Sequence, residues 1–420
     1  MSAALPANPR LDLLQPYPFE RLRQLLATAA AARTGSRMQP IDLSIGEPRH
    51  ATPPVVLDAL ALAQQGLSSY PTTTGKPALR EAIARWLSVR HRTPVDAATQ
   101  VLPVNGSREA LFAFAQAILD PAENDAVVIA PNPFYQIYEG AALLAGARLF
   151  LLDQRPENGF GMDWEQVPET VWEKTRLVYV CSPGNPTGQV MALDEWRLLL
   201  TLADRWGFTI ASDECYSEIY RDETAPPLGA LAACHQLGRT DFRRVVVFSS
   251  LSKRSNVPGM RSGFVAGDAR LLARFLRYRT YHGCAMSPMF QDASIAAWND
   301  EHHVVDNRRL YRQKFDAVVP IIDDVQPIAV PPASFYLWLP VPGGDDEAFT
   351  ARLHAEQNVL VLPGSYLARS TNQGWPVAKD ETRQLPNAGR GFVRIALVAP
   401  LEPCIEGARR IAALIETLRG

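Results

Sequence analysis

Short apolar segments rich in β-branched residues recur between residues 101 and 266, and most are separated by stretches with the period of an amphipathic helix. Helical periodicity is clear at residues 109–118 and 193–206. Continuous apolar strands that alternate with helices indicate a mostly parallel sheet covered on both faces, so the pattern predicts an α/β fold. The seven predicted strands are residues 101–104, 126–130, 148–152, 177–180, 208–211, 245–248 and 263–266.

The two ends of the chain predict a smaller α+β domain beside this seven-stranded sheet and its flanking helices. Helices are expected at residues 18–32, 298–319 and 406–418, and strands at residues 335–338, 359–362 and 392–398. A second domain is expected because single hydrophobic cores stop growing at about 250–300 residues. The predicted division is an N-terminal segment of the small domain at 1–47, a large domain at 48–296 and a C-terminal small domain at 297–420.

Composition and charge exclude several classes of protein. The 420 residues are 47% hydrophobic and 20% charged, as in a compact globular protein. The net charge of -2 provides no general attraction to nucleic acid or membranes, and no apolar run approaches the roughly 20 residues of a membrane span. Five scattered cysteines fit neither a disulfide framework nor a zinc site. We therefore expect a cytoplasmic protein with no metal, no nucleic-acid partner and no membrane.

Residues with chemical potential follow several of the predicted strands, where ligands bind in open α/β sheets. Ser107 and Arg108 lead directly from the first strand into a helix, whose free N–H groups and dipole can hold a phosphate. A simple helix cap by Ser107 is the alternative. The proline- and glycine-rich turn at residues 182–188 either aims the Asn185 amide at a fixed point or serves only as a turn.

Three charged residues also stand at informative places. Asp213 follows a strand predicted to be buried, where a carboxylate needs a cation or hydrogen-bond donors, unless it is an exposed helix cap. Lys253 is the only one of five lysines just beyond a core strand, although a loop lysine is usually a solvated charge. Arg394 lies in an apolar strand and needs a carboxylate partner, unless it faces solvent at a sheet edge.

The combination resembles the aspartate aminotransferase superfamily, which comprises fold type I enzymes dependent on pyridoxal 5'-phosphate (PLP). The resemblance covers nearly the whole chain, and its motifs occur in the family's order. They are Ile45-Gly46-Glu47-Pro48, Tyr70 with Gly75 and residues 77–80, Asn185-Pro186-Thr187-Gly188, Asp213-Glu214-Cys215-Tyr216, Ser250-Leu251-Ser252-Lys253 and Arg394. The resemblance implies a PLP-dependent aminotransferase whose partners are small-molecule substrates, an amino acid and a 2-oxo acid.

The same resemblance implies the catalytic roles. Lys253 would carry PLP as a Schiff base and move the substrate's α-proton. Asp213 would keep the pyridine nitrogen protonated, and this opposite charge would hold the pKa of the carboxyl group low. Asn185 and Tyr216 would hydrogen-bond the phenolic oxygen, and Tyr135 would stack on the ring.

The binding roles follow from the resemblance as well. The phosphate would be held by Ser107, Arg108, Ser250, Ser252 and Arg261. The substrate's carboxylate would be held by Arg394 and the Gly46 backbone, with Asn185 as a further contact. Tyr70 would reach the phosphate from a neighbouring subunit, which implies a homodimer with shared active sites.

Four further runs resemble one branch, the bacterial succinyldiaminopimelate aminotransferases of lysine biosynthesis. They are residues 11–19, 68–73, 252–259 and 281–286. This branch implies exchange between N-succinyl-LL-2,6-diaminopimelate and 2-oxoglutarate. The alternatives are an aminotransferase for acetylornithine, aspartate or aromatic amino acids, a PLP lyase or decarboxylase on the same fold, and a regulator. A regulator would need an attached DNA-binding module, and the sequence has no basic stretch to suggest one.

Overall fold

Twelve strands form three sheets in the computed structural model, which describes residues 7–29, 38–123, 125–370 and 387–420. In chain order these strands are β1 Ile41–Asp42, β2 Val101–Val104, β3 Val127–Asn132, β4 Arg148–Asp153, β5 Thr175–Cys181, β6 Thr209–Asp213, β7 Val245–Ser250, β8 Gly263–Gly267, β9 Tyr336–Pro340, β10 Val359–Leu360, β11 Leu362–Pro363 and β12 Phe392–Ala396.

The largest sheet has the order β2-β8-β7-β6-β5-β3-β4. All its neighbouring strands are parallel except β8, which runs antiparallel to β2 and β7. The prediction of a mostly parallel seven-stranded α/β sheet is confirmed. Its strands are continuously apolar because alternate residues face opposite sides and both sides are buried: Val127 and Ile129 join one hydrophobic cluster, whereas Val128 and Ala130 join another.

Helices cover both faces of this sheet. The first cluster packs the helices Pro77–Arg90, Leu193–Trp206, Ala230–Gln236 and Pro288–Asn299 against one face, and the second packs the helices Ser107–Ile118, Ile137–Leu144 and Ala269–His282 against the other. In chain order the helices are α1 Pro18–Ala29, α2 Pro54–Leu62, α3 Pro77–Arg90, α4 Ser107–Ile118, α5 Ile137–Leu144, α6 Glu169–Trp172, α7 Leu193–Trp206, α8 Ala230–Gln236, α9 Leu251–Arg254, α10 Ala269–His282, α11 Pro288–Asn299, α12 His302–Asp323, α13 Asp346–Gln357 and α14 Leu401–Arg419.

Two helical predictions differ from the structure. The helix expected at residues 298–319 is interrupted, because Asp300 has extended backbone angles and its carboxylate accepts a hydrogen bond from the His303 N–H at 3.1 Å. An aspartate side chain competes in this way for the free donors at a helix start. The last helix begins at Leu401, ahead of the expected 406. Of the helix predicted at 18–32, residues 30–32 lie outside the described residues.

Elements from both ends of the chain build the remaining two sheets. Strands β11, β12 and β9 form an antiparallel sheet, and β1 pairs in parallel with β10. The strand predicted at 359–362 is therefore two short strands in different sheets. Helices α12, α13 and α14 share one hydrophobic cluster with these strands, which agrees with the predicted α+β character. The domain boundaries at 47 and 297 stay a prediction.

Two further properties concern the described ranges alone. Among those residues, none of the helices combines the length and apolar character that a membrane crossing requires. Within the same ranges, histidine, cysteine, aspartate and glutamate side chains form no group of three or more suited to a metal ion.

Candidate active site

A cavity of about 530 Å³ lies at the carboxyl ends of β5, β6 and β7. Ligand pockets typically have volumes of about 300–1,000 Å³, so a small cofactor and a substrate fit this size class. Every predicted site residue except Tyr70 lines it: Gly46, Ser107, Arg108, Tyr135, Asn185, Asp213, Tyr216, Ser250, Ser252, Lys253, Arg261 and Arg394. The structure thus brings together residues that are far apart in the sequence.

Lys253 lies on the one-turn helix α9, directly after β7. Its Nζ donates a hydrogen bond to the Gly46 carbonyl oxygen at 2.6 Å. Burial lowers the pKa of Lys253 to about 8, and the nearby Arg394 charge acts in the same direction. An amine with such a pKa is partly neutral near physiological pH, which suits it to attack a carbonyl carbon and to carry a proton.

Asp213 ends β6 and is buried. Its Oδ2 accepts a hydrogen bond from the Tyr138 hydroxyl at 2.8 Å, and its Oδ1 accepts one from the Cys215 N–H at 3.2 Å. Burial nevertheless raises the pKa of Asp213. The expectation of a low pKa is therefore not met by the polypeptide alone. The ionised carboxylate needs a cation at this point of the cavity, which a protonated pyridine nitrogen would supply.

Donors for an anion converge at the start of α4. Gly106 has φ +85°, and a Cβ at this position would come within 2.2 Å of the Arg261 guanidinium. The Cys215 thiol donates to the Ser107 Oγ at 3.0 Å, and the Ser250 hydroxyl lies 3.7 Å from the same sulfur. A guanidinium, hydroxyl groups and a helix N-terminus together fit the phosphate of PLP.

Arg394 is buried on β12, the central strand of its sheet, so the solvent-facing alternative is wrong. Its guanidinium lies 4.4 Å from the centre of the Tyr336 ring and donates to Asn185 Oδ1 at 3.0 Å and to the Ser44 carbonyl oxygen at 2.8 Å. Both acceptors are neutral, and no carboxylate in the described part of the chain forms an ion pair with it. A substrate carboxylate would compensate this charge.

Three tyrosines of the site were missed by sequence reasoning. Tyr138 binds Asp213, the Tyr336 hydroxyl lies 2.9 Å from that of Tyr216, and the Tyr17 hydroxyl accepts from Arg108 at 2.7 Å. Arg108 also donates to the Tyr135 hydroxyl at 2.5 Å. Two sequence signals were available: Tyr138 stands three residues after Tyr135, and Tyr17 lies in the run 11–19 that resembles the branch. Neither signal indicates which partner these side chains have, and Tyr336 resembles any other residue of an apolar strand.

Tyr70 is fully exposed and lies outside the cavity of this chain. Other large exposed side chains of the described residues include Leu62, Leu67 and Tyr281, with 86%, 68% and 90% of their surface accessible. The contact of Tyr70 with a neighbouring subunit's phosphate stays a prediction.

A buried aspartate, a lysine of lowered pKa and an anion cradle at a helix N-terminus, all at the carboxyl edge of an α/β sheet, fit the class of PLP-dependent enzymes. The chain matches the family "Aminotransferase class I and II" over residues 39–375. It therefore belongs to this family, and the predictions of an aminotransferase and of PLP as cofactor are confirmed.

Individual relatives extend along nearly the whole chain. An aminotransferase structure from Neisseria meningitidis is 50% identical, with a TM-score of 0.90, and the match covers 97% of this chain and 100% of that one. The LL-diaminopimelate aminotransferase of Dehalococcoides mccartyi is 30% identical, over 96% of this chain and 97% of the relative. A structure described as a probable N-succinyldiaminopimelate aminotransferase from Thermus thermophilus is 29% identical, with a TM-score of 0.80 and coverages of 94% and 99%.

Replacing Tyr138 with phenylalanine is expected to slow the half-reaction with glutamate about tenfold. The change removes one hydrogen bond to a charged group, which contributes about 1.5–3 kcal/mol, and about 1.4 kcal/mol corresponds to a factor of ten. Stopped-flow absorbance of the bound cofactor measures the rate. Tyr179→Phe is the matched control, because the buried Tyr179 hydroxyl bonds to the Leu111 carbonyl oxygen and not to Asp213. Equal rates in both variants would contradict the role of Tyr138.

Proposed function

We propose that this aminotransferase catalyses the reversible transfer of an amino group from N-succinyl-LL-2,6-diaminopimelate to 2-oxoglutarate, which becomes glutamate, in lysine biosynthesis. The observation that carries the proposal is the similarity along nearly the whole chain to a structure described as a probable N-succinyldiaminopimelate aminotransferase. Cations outnumber carboxylates in the cavity, which is lined by Arg108, Arg261, Arg394 and Lys253 and by Asp213 and Glu47. Two of these cations, Arg108 and Arg261, would face the PLP phosphate, and Arg394 would bind the α-carboxylate of either substrate.

Lys253 and Asp213 are assigned the chemical roles. When bound, PLP supplies the electron sink that makes the substrate's α-C–H acidic. Lys253 would hold the cofactor covalently and carry the proton between the α-carbon and the cofactor, because its amine is buried and of lowered pKa. Asp213 would maintain the charge of the pyridine nitrogen, since its buried carboxylate needs a cationic partner.

Polar and aromatic side chains would orient the cofactor. Asn185 and Tyr216 would bind the phenolic oxygen, and Tyr135 would stack on the ring. Asn185 accepts a hydrogen bond from Arg394, and the Tyr216 hydroxyl is hydrogen-bonded to that of Tyr336, whose ring packs against the Arg394 guanidinium. Their orientation is therefore determined before any ligand binds, which lowers the cost of ordering the site. The phosphate would be held by Ser107, Arg108, Ser250, Ser252 and Arg261.

Substrate binding is assigned to Arg394 and the Gly46 backbone. Gly46 leaves no room for a side chain, because a Cβ would come within 1.8 Å of the Tyr336 hydroxyl. Tyr70 would complete the phosphate site of a partner subunit, so we propose a homodimer with shared active sites. The full exposure of Tyr70 and its distance from this chain's own cavity support this assignment.

Free LL-2,6-diaminopimelate is the second candidate substrate. The relatives named LL-diaminopimelate aminotransferase favour it, and so does Glu47, an exposed carboxylate at the cavity that would pair with a distal ammonium group. Against it, the same site must also accept the side-chain carboxylate of glutamate, whose charge is opposite to that of the distal ammonium.

The expected order of substrates decides between the two candidates. We expect kcat/KM for the succinylated compound to exceed that for free diaminopimelate at least about tenfold, which corresponds to about 1.4 kcal/mol of transition-state stabilisation. Coupled assays with 2-oxoglutarate as acceptor measure it, with N-acetylornithine, aspartate and an aromatic amino acid as further donors. The reverse order would assign the second candidate. A clear preference for aspartate or the aromatic donor would contradict both and leave the aminotransferase assignment intact.

A further inference from the structure

A buried chain of polar side chains connects the backbone of Lys253 with the strand that carries Arg394. Lys314 of α12 is buried, and its Nζ donates to the carbonyl oxygens of Leu397 and Val398, directly after β12. The third contact of this amine is His50 Nε2, at 2.7 Å. Burial lowers the pKa of Lys314 to about 8, so below this pH the amine is predominantly an ammonium group with three donors and no acceptor, and these contacts use its full hydrogen-bonding capacity.

The Lys314 ammonium group determines which atoms donate and which accept in the other hydrogen bonds of this network. Because Lys314 donates to Nε2 of His50, the ring hydrogen of a neutral His50 must lie on Nδ1. That nitrogen is 2.7 Å from the Asn307 side chain, which therefore presents its Oδ1 as the acceptor. The opposite tautomer would set two donors against each other at Nε2.

Asn307 is buried and links this hydrogen-bond network to the backbone of Lys253. With its Oδ1 facing His50 and the Asn256 amide at 3.1 Å, its Nδ2 faces the carbonyl oxygens of Lys253 at 3.2 Å and Arg254 at 3.5 Å. A flipped amide would set its oxygen against two carbonyl oxygens and its nitrogen against two donors. Asn307 thus has one satisfied orientation, and all four of its hydrogen-bonding positions are used.

We propose that Asn307 is a positioning residue that holds the backbone of Lys253, and that Lys314 and His50 determine its orientation. Arg394 and Lys253 would act on adjacent atoms of the same substrate, yet Arg394 lies on β12 of the three-stranded sheet and Lys253 lies on α9, directly after β7 of the seven-stranded sheet. Lys314 and Asn307 use all their hydrogen-bonding positions within this buried network, which fixes their orientation and keeps Arg394 and Lys253 in register. This inference rests on the proposed attachment of PLP to Lys253.

The first test variant is Asn307→Asp, which keeps the side-chain shape and the acceptor for His50 but removes the donors to the Lys253 and Arg254 carbonyl oxygens. We expect the holoenzyme to keep covalent PLP, with kcat at least about tenfold lower and a KM for glutamate within about threefold of the original, because misplacement of a reacting group acts mainly on the chemical step. The pH midpoint of the cofactor's absorbance band is expected to move by at least about half a pH unit.

A second variant, at a different residue of the network, keeps the inference testable if Asn307→Asp does not fold. His50→Phe keeps the ring that packs against Tyr311, with ring centres 4.5 Å apart, and removes both of its hydrogen bonds. It should change kcat and the absorbance midpoint in the same direction as Asn307→Asp, by less. The double variant should cost no more than Asn307→Asp alone, because residues acting through one another are not additive.

Val318→Ala is the matched control, since Val318 is buried on the same helix and packs in the hydrophobic cluster of that region. It should lower Tm without moving the absorbance midpoint. The inference is overturned if Asn307→Asp and His50→Phe behave like this control, or if their effects on kcat simply add. Borohydride reduction of the unaltered holoenzyme distinguishes failure of the proposed PLP site from failure of the positioning role. A label on a residue other than Lys253 overturns the proposed site itself. A label on Lys253, together with variants that behave like the control, overturns only the positioning role of Asn307.

Discussion

Lys253→Ala is expected to abolish covalent attachment of PLP and to lower transamination by at least about 10⁴-fold. A positioned proton-transfer group alone contributes about 10²–10⁴-fold, and this variant also loses the covalent anchor. Borohydride reduction followed by peptide mapping locates the attachment, and the glutamate half-reaction measures the rate. Lys76→Ala is the control, because Lys76 pairs with Asp292 away from the cavity. A label on Lys76, Lys174, Lys314 or Lys379 would show that the assignment is wrong.

The same lysine predicts a pH dependence. Only the neutral amine attacks the PLP aldehyde, and burial lowers the pKa of Lys253 to about 8. Covalent uptake of PLP by the cofactor-free protein should therefore become faster as the pH rises through about 8 and should level off above it. An unperturbed lysine would continue to gain reactivity up to about pH 10.4. Stopped-flow absorbance over this pH range distinguishes the two profiles.

Asp213→Asn is expected to retain PLP and to lose at least about 100-fold in kcat, which corresponds to about 2.7 kcal/mol of transition-state stabilisation. The amide is nearly the same size as the carboxylate, so the cavity keeps its shape. A neutral partner, however, no longer stabilises the protonated pyridine nitrogen. Single-turnover kinetics and the dissociation constant of PLP, measured on the same preparation, separate turnover from cofactor binding.

Glu214→Gln provides the matched control for this variant. Glu214 is the next residue and is also buried, but its Oε1 accepts from the Ser212 hydroxyl and the Ala230 N–H, and the side chain does not line the cavity. Burial raises the pKa of Glu214 to about 7, so removal of its charge tests whether any buried carboxylate at this edge matters. Near-normal turnover in Asp213→Asn, or an equal loss in Glu214→Gln, would contradict the specific role of Asp213.

The sequence predicted the central sheet well because its signals are local. The predicted strand at 101–104 and the helix at 193–206 have the same bounds as β2 and α7. A short, continuously apolar run indicates a buried strand, and a period of 3.6 residues indicates an amphipathic helix. Both signals are visible in the sequence without knowledge of the elements against which the strand or helix packs. The predictions failed where a side chain or a neighbouring strand decided the outcome, as at Asp300 and in the division of residues 359–362 between two sheets.

The sequence by itself also determined which residue types stand at the strand ends, because a lysine, an aspartate and an arginine in apolar surroundings each require a partner. Only the tertiary structure determines which residues serve as those partners. Tyr138 reaches Asp213 across 75 residues, Arg394 reaches Asn185 across 209, and Lys314 reaches His50 across 264. Hydrogen-bond partners at such separations leave no periodic trace in the chain, since their pairing arises only when the sheets and helices pack and bring the side chains within about 3 Å.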